Sequence, residues 1–279
     1  MSFTTLVTTT DLARHLDNPA WIVFDCRHDL MDADDGRYAY EASHIPGAFF
    51  LHLDEDLSGT KTGKNGRHPL PSPDVFAARM SELGVDNSRQ VVAYDASGGI
   101  YAARLWWMLR WLGHDAVAVL DGGLDAWRKA GHPMTSAMPQ TSPSRFHATP
   151  RDHSVDADHV IAHINHTAMR LIDARNAERF RGIGEVLDPV GGHIPGAINR
   201  FFKDNLDKTG CFKPAQTLRQ EFVELTGDIA PAKIVHKCGS GVTACHNLLA
   251  MEIAGLAGSK LYPGSWSEWC SDPARPVER

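Results

Sequence analysis

His44-Ile-Pro-Gly-Ala48 recurs letter for letter as His193-Ile-Pro-Gly-Ala197, and this pair decides the fold. Working outward, Trp21-Ile-Val-Phe-Asp-Cys-Arg27 is echoed by Arg170-Leu-Ile-Asp-Ala-Arg175. Gln90-Val-Val-Ala-Tyr-Asp95 is matched by Lys233-Ile-Val-His-Lys-Cys238, and Gly122-Gly-Leu-Asp-Ala-Trp127 by Gly264-Ser-Trp-Ser-Glu-Trp269. The offsets are 148 at Asp25/Asp173, 149 at His44/His193, 143 at Asp95/Cys238 and 142 at Trp127/Trp269. Four collinear matches with small drifts in offset describe duplication of a whole domain; a solenoid would repeat every ~20–50 residues.

Each copy alternates short apolar strands with amphipathic helices. Trp21–Asp25, Leu171–Asp173, Val91–Tyr94 and Ile234–Val235 read as strands. Pro73–Leu83 and Leu218–Leu225 carry apolar residues at helical spacing, and Ala102–Leu112 is apolar on most sides. This alternation predicts an α/β fold, two tandem domains each built on a mostly parallel sheet flanked by helices. Ligands of such sheets bind beyond the carboxyl ends of the strands. Gly131–Asp152 holds Pro133, Pro139, Pro143 and Pro150 amid Ser and Thr, and reads as an extended linker. The expected boundaries are 8–130 for the first domain, 131–152 for the linker and 153–277 for the second.

The chain of 279 residues is 43% hydrophobic and 22% charged, which suits two globular domains. A formal net charge of −6 argues against a nucleic-acid partner. No apolar run approaches ~18 residues, so no membrane partner is expected. The start, Met1-Ser-Phe-Thr-Thr-Leu-Val-Thr-Thr-Thr10, has neither a basic lead nor an apolar block, so no secretion signal is expected. Five cysteines, none in a C-x-x-C pair, suit a reduced, cytoplasmic setting rather than a disulfide framework or a zinc site.

One loop differs between the copies. Strand Ile234–Lys237 runs into Cys238-Gly-Ser-Gly-Val-Thr243 and then a helical run, Ala244–Ala254. The first copy reads Asp95-Ala-Ser-Gly-Gly-Ile-Tyr101, with one residue more. A cysteine between a parallel strand and a helix start faces unpaired N–H groups and the positive end of the helix dipole. Both favour an anion, so the Cys238 sulfur is expected to hold negative charge near neutrality. Gly239 and Gly241 permit a backbone that curls N–H groups around that charge. Asp95 offers no nucleophilic sulfur, so the first copy is expected to be inactive. Cys26, Cys211, Cys245 and Cys270 lack this setting and read as ordinary buried thiols, Cys245 having a second thiol role as its alternative.

The duplicated Asp-x-Arg and His-Ile-Pro-Gly-Ala patterns, the cysteine loop and the closing Gly-Ser-Trp-Ser-Glu-Trp together resemble the two-domain rhodanese family over residues 8–277. Within it, the chain is most similar to the members that use 3-mercaptopyruvate. The resemblance implies two rhodanese-like domains and a ping-pong sulfur transfer. Cys238 would take the donor's outer sulfur as a persulfide and pass it to thioredoxin, a small thiol or cyanide. Thiosulfate users tend to carry Arg-Lys after the cysteine. Gly239-Ser240 is the mercaptopyruvate pattern, with the Ser240 hydroxyl as proton relay; thiosulfate remains the alternative donor. By position in the family, the relay continues through His68 and Asp54, with Asp56 and His52 as neighbouring alternatives. Gly239, Gly241, Val242 and Thr243 would line the substrate. Arg179 matches the family's substrate arginine. A second arginine, expected a little further on where this chain reads Ile183-Gly-Glu-Val-Leu-Asp188, is missing, and Arg181 or Arg179 alone would hold the carboxylate. Arg175, like its twin Arg27, is expected to brace its domain.

Three other features carry no chemistry in this reading. His159, His163 and His166 fall on one face of an expected helix, Val155–Met169, but no acid or cysteine completes a metal site; neither a metal nor a cofactor is implied. Trp106, Trp107 and Trp111 read as core. Lys61–Arg67 is a polar loop without a P-loop pattern, a candidate lid before His68. Two alternatives to the transferase remain. A phosphatase of the Cys-x5-Arg type lacks its clamp, because Ala244 occupies the arginine position. A non-enzymatic sulfur carrier would keep Cys238 but need a partner enzyme.

Overall fold

The computed structural model describes residues 2–164, 166 and 169–279. The chain forms two compact units. The first comprises Met1–Gly59, Pro71–Asp152 and Lys208–Cys211; the second comprises Thr60–Leu70, His153–Asp207 and Phe212–Arg279. The segment carrying Arg67 and His68 therefore belongs to the unit that holds Cys238, although it lies in the first half of the sequence.

The first unit runs β1 (Leu6–Val7), α1 (Thr9–His15), β2 (Trp21–Asp25), α2 (Asp35–Ala42), β3 (Phe49–Phe50), α3 (Pro73–Glu82), β4 (Gln90–Tyr94), α4 (Ile100–Trp111), β5 (Val117–Leu120) and α5 (Gly123–Lys129). Local sequence sets the helix starts. The Thr8 hydroxyl accepts the Asp11 N–H to open α1, and the Ser72 hydroxyl followed by Pro73 opens α3. The strands pair in parallel in the order β1-β5-β4-β2-β3. One face of the sheet packs Val23, Val92, Tyr94, Ala118 and Leu120 against Leu12, Leu124 and Trp127. Trp106 and Trp107 are buried in α4, as the sequence predicts, while Trp111 is half-buried.

The second unit runs α6 (Ala157–Ala162), β6 (Arg170–Asp173), α7 (Ala177–Phe180), β7 (Ile198–Asn199), α8 (Ala215–Thr226), β8 (Ile234–Lys237), α9 (Thr243–Ile253), β9 (Lys260–Leu261) and α10 (Ser265–Trp269). Its parallel order, β7-β6-β8-β9, repeats β3-β2-β4-β5. The place of β1 is taken by a single parallel bridge from Ser154 to Leu261. The repeated His-Ile-Pro-Gly segments do the same job in each unit: His44 bridges Thr135 and His193 bridges Glu278. Val160, Leu171, Ile194, Val235, Tyr262, Trp266 and Trp269 form the core of this unit.

Two expectations need correction. The helix expected over Val155–Met169 ends at Ala162, with His163 as its C-cap. His163 and Ile164 are weak helix formers and do not carry the helix on; Asn165, Thr167 and Ala168 lie outside the described residues. The extra residue expected in the first copy's loop does not delay its helix. Asp95 precedes Ile100 by the same five positions that separate Cys238 from Thr243.

Candidate active site

Cys238 is the first residue beyond β8 and is 2% exposed. The Gly241 N–H donates to its Sγ at 3.1 Å, so a backbone dipole points at the sulfur. The loop is held from below by the start of α10. The Cys238 N–H donates to Ser265 Oγ at 3.0 Å, the Trp266 N–H to the Cys238 carbonyl at 3.0 Å, and the Ser267 N–H to the Gly239 carbonyl at 2.9 Å. Gly241 has φ +80°, and a Cβ there would stand 2.2 Å from the Pro263 carbonyl oxygen. Only glycine fits that position. Val242 is buried and caps α9, whose first residue is Thr243. Cys245 is buried in α9 with its thiol on the Gly241 carbonyl at 3.4 Å.

The first unit's loop displays what this geometry accommodates. The buried Asp95 carboxylate accepts the N–H groups of Ser97, Gly99, Tyr101 and Ala102 at 2.8–3.0 Å. That loop is an anion cradle filled by its own side chain.

Ser240 Oγ lies 2.7 Å from His68 Nδ1, with both residues more than nine-tenths buried. Asp54 belongs to the first unit, half-buried in the turn after β3, and its N–H donates to His52 Nδ1 at 3.1 Å. The two neighbouring alternatives brace the same turn. His52 also places Nε2 2.8 Å from the Ala33 carbonyl, and Asp56 accepts the His52 N–H and Arg79 Nε at 2.7 Å.

Two arginines flank the cysteine loop. A methyl group at Gly239 would lie 2.9 Å from Arg67 Nη2 and 3.8 Å from both terminal nitrogens of Arg179. Arg179 is aimed by its short helix, where the Asn176 side chain accepts the Arg179 N–H at 2.9 Å. Both guanidinium groups carry internal carboxylates. Glu185 bonds Arg179 through Nε and Nη2 at 2.9–3.1 Å, and Asp188 bridges Arg67 and Arg179. Opposing effects act on both acids. Burial pushes the Glu185 carboxyl up, but the Leu187 N–H and Arg179 bring it below its ordinary range. Burial lifts that of Asp188 despite Arg67. Arg181 is exposed at the C-cap of α7.

Arg67 is the residue that motif reading leaves unassigned. Its one signal in the sequence is that it precedes His68. Arg175 braces the domain, holding Asp173 through Nε and Nη2 and the Gly192 carbonyl at 2.7 Å, just as Arg27 holds Asp25 and the Ser43 carbonyl. His159 and His163 stack at 4.4 Å, and among the described residues no cluster of His, Cys, Asp or Glu is arranged to hold a metal ion.

Comparison with known proteins places this geometry. The family model for the rhodanese-like domain matches twice, over residues 8–130 and 156–272. The chain is 46% identical over 281 residues to "Probable 3-mercaptopyruvate sulfurtransferase" of Pseudomonas aeruginosa, covering 99% of each chain. It is 36% identical over 239 residues to thiosulfate sulfurtransferase of Mus musculus, covering 84% of this chain and 79% of the relative. The solved structure of a 3-mercaptopyruvate sulfotransferase from Escherichia coli superposes with a TM-score of 0.82 at 32% identity, covering 95% of this chain and 99% of that one. The chain belongs to the rhodanese family of sulfurtransferases and carries two rhodanese-like domains.

Proposed function

We propose that this chain transfers sulfur from 3-mercaptopyruvate through a persulfide on Cys238. The observation that carries the reading is the pairing of a sulfur that accepts the Gly241 N–H with a contact between Ser240 of the same loop and His68. The Cys238 thiolate attacks the donor sulfur, the S–S bond forms, and the donor C–S bond breaks. The electron pair leaves on the carbon skeleton as pyruvate enolate. The Ser240 hydroxyl protonates that carbon and is recharged through His68, with Asp54 assigned by resemblance to orient the histidine. An acceptor thiolate then attacks the outer sulfur, restoring the Cys238 thiolate; cyanide as acceptor leaves as thiocyanate.

Arg179 and Arg67 are the groups to hold the donor's carboxylate. Their present partners, Glu185 and Asp188, are carboxylates that mark where such a group would bind. Gly239, Gly241, Val242 and Thr243 form the wall of the donor site. The catalytic copy is residues 153–277, and the copy at 8–130, with Asp95 in the cysteine's place, is inactive. The five free cysteines suit a reducing cytoplasm, where thioredoxin or a small thiol would be the acceptor. Among the described residues no helix is long and apolar enough to cross a membrane.

Thiosulfate is the second reading, because two arginines beside Gly239 also suit a dianion. Steady-state kcat/KM for both donors on one preparation tests the proposal. Mercaptopyruvate is expected to lead; a lead for thiosulfate reassigns the donor, and no turnover of either points to the carrier alternative.

A further inference from the structure

The two units share a buried cluster beneath the loop, with one difference in charge. In the first, the Asp25 carboxylate accepts Arg27 Nη2 at 2.7 Å and the Tyr94 hydroxyl at 2.7 Å. In the second, Asp173 accepts Arg175 Nη2 at 2.7 Å and pairs with Lys237 Nζ. Tyr94 and Lys237 are the last residues of equivalent strands, immediately before Asp95 and Cys238. One acid and one arginine sum to zero in the first cluster; the second carries an added ammonium and sums to +1.

Lys237 and Asp173 are fully buried and Arg175 is 4% exposed. An unmatched buried charge is costly, so this one needs an anion. Among the described residues, these groups face it. From β6 and the residues after it come Asp173 and Arg175. From α10 comes the Trp266 ring, 4.9 Å from Lys237 Nζ and 4.8 Å from Arg175 Cζ. Glu185 lies 3.7 Å from Arg175 Nη1 but is engaged by Arg179. Burial pushes the Lys237 ammonium down to about 8, and Asp173 is the main group holding it up, with Cys238, the next residue along the chain, adding a smaller contribution.

We infer that Lys237 is a positioning residue for sulfur transfer, the internal counter-charge that favours the Cys238 thiolate and persulfide. In the inactive copy four N–H groups surround Asp95, while burial pushes its carboxyl up, and Tyr94, not a cation like Lys237, stands beneath it. This inference rests on Cys238 being the nucleophile, and its test separates the two ideas.

Lys237→Tyr recreates the neutral cluster with a side chain the first unit already folds around, and Lys237→Met is a second neutral variant. The measurement is the rate of Cys238 alkylation by iodoacetamide against pH, read at the Cys238 peptide by mass, beside persulfide formation in a single turnover. In both variants the alkylation profile is expected to move to higher pH. At pH 7 both rates are expected to fall about tenfold or more, because the thiolate fraction falls tenfold when the profile moves up by about one pH unit. Unchanged profiles in a folded variant, even with reduced turnover, would overturn the inference. Absence of persulfide in the unmodified protein would instead sink the transferase reading, leaving the alkylation profile to judge Lys237.

Discussion

His68 Nδ1 stands 2.7 Å from Ser240 Oγ, although 172 residues separate them in the chain. A buried hydroxyl–imidazole contact beside the nucleophile is a route for a proton, and it gives the donors different demands. Pyruvate enolate needs a proton on carbon, whereas the sulfite released from thiosulfate does not. Ser240→Ala is therefore expected to slow mercaptopyruvate turnover by about a hundredfold, a general-acid contribution. Thiosulfate turnover should change far less. Equal losses on the two donors would remove the relay.

The arginines lead to a binding prediction. Losing a charge-assisted hydrogen bond costs about 1.5–3 kcal/mol. Arg67→Ala and Arg179→Ala are each expected to raise KM for mercaptopyruvate by about ten- to a hundredfold, with smaller effects on kcat. Arg181→Ala should leave KM unchanged, since that side chain is exposed at the C-cap of α7. A KM that responds to Arg181 and not to Arg67 would reverse the assignment.

Gly241 tests the cradle itself. Its φ of +80° and the Pro263 carbonyl 2.2 Å from a Cβ leave no room for alanine. Gly241→Ala is expected to cost roughly 1–3 kcal/mol of stability in backbone strain. It should also displace the N–H that faces Cys238 Sγ, so the persulfide would not accumulate. Denaturant midpoints and persulfide yield check both parts; a fully stable, fully active variant would contradict the geometry.

The pH dependence of stability has a distinct source away from the site. His236 is fully buried with Nε2 3.1 Å from Met251 Sδ, and burial pushes its pKa down to about 3. Between pH 6.5 and 3 the unfolded chain binds a proton that the folded protein refuses, so stability is lost as pH falls through that range. From pH 6 to 4.5 this amounts to about 2 kcal/mol for one such group. His114 shifts in the same direction, also through burial. Asp173 acts lower: burial pushes its carboxyl up, yet Lys237 and Arg175 hold it at about 2, so its contribution is lost only between pH 3.8 and 2. His236→Leu should flatten the urea-midpoint profile above pH 4; a profile as steep as before would exclude His236 as its origin.

Much of this is legible in the residues because duplication lets one half interpret the other. The shared Asp-x-Arg pairs fix equivalent strands and the repeated His-Ile-Pro-Gly fixes equivalent bridges. Cys238 stands out because Asp95 occupies its place. Apolar spacing carries the expected helix past His163 because it says little about where weak helix formers stop. Arg67 escapes motif reading because its role depends on a loop from the first half joining the unit built by the second, and no local pattern carries that information. Lys237 reads as one more strand residue until the buried charge beneath the loop is summed.

The most direct test is the intact mass of the protein after brief exposure to one equivalent of 3-mercaptopyruvate without acceptor. One added sulfur atom is expected, located on the Cys238 peptide, lost again on addition of a thiol and absent from Cys238→Ser. A protein that turns over donor while Cys238 stays unmodified, or a Cys238→Ser variant that still gains the sulfur, would contradict the account.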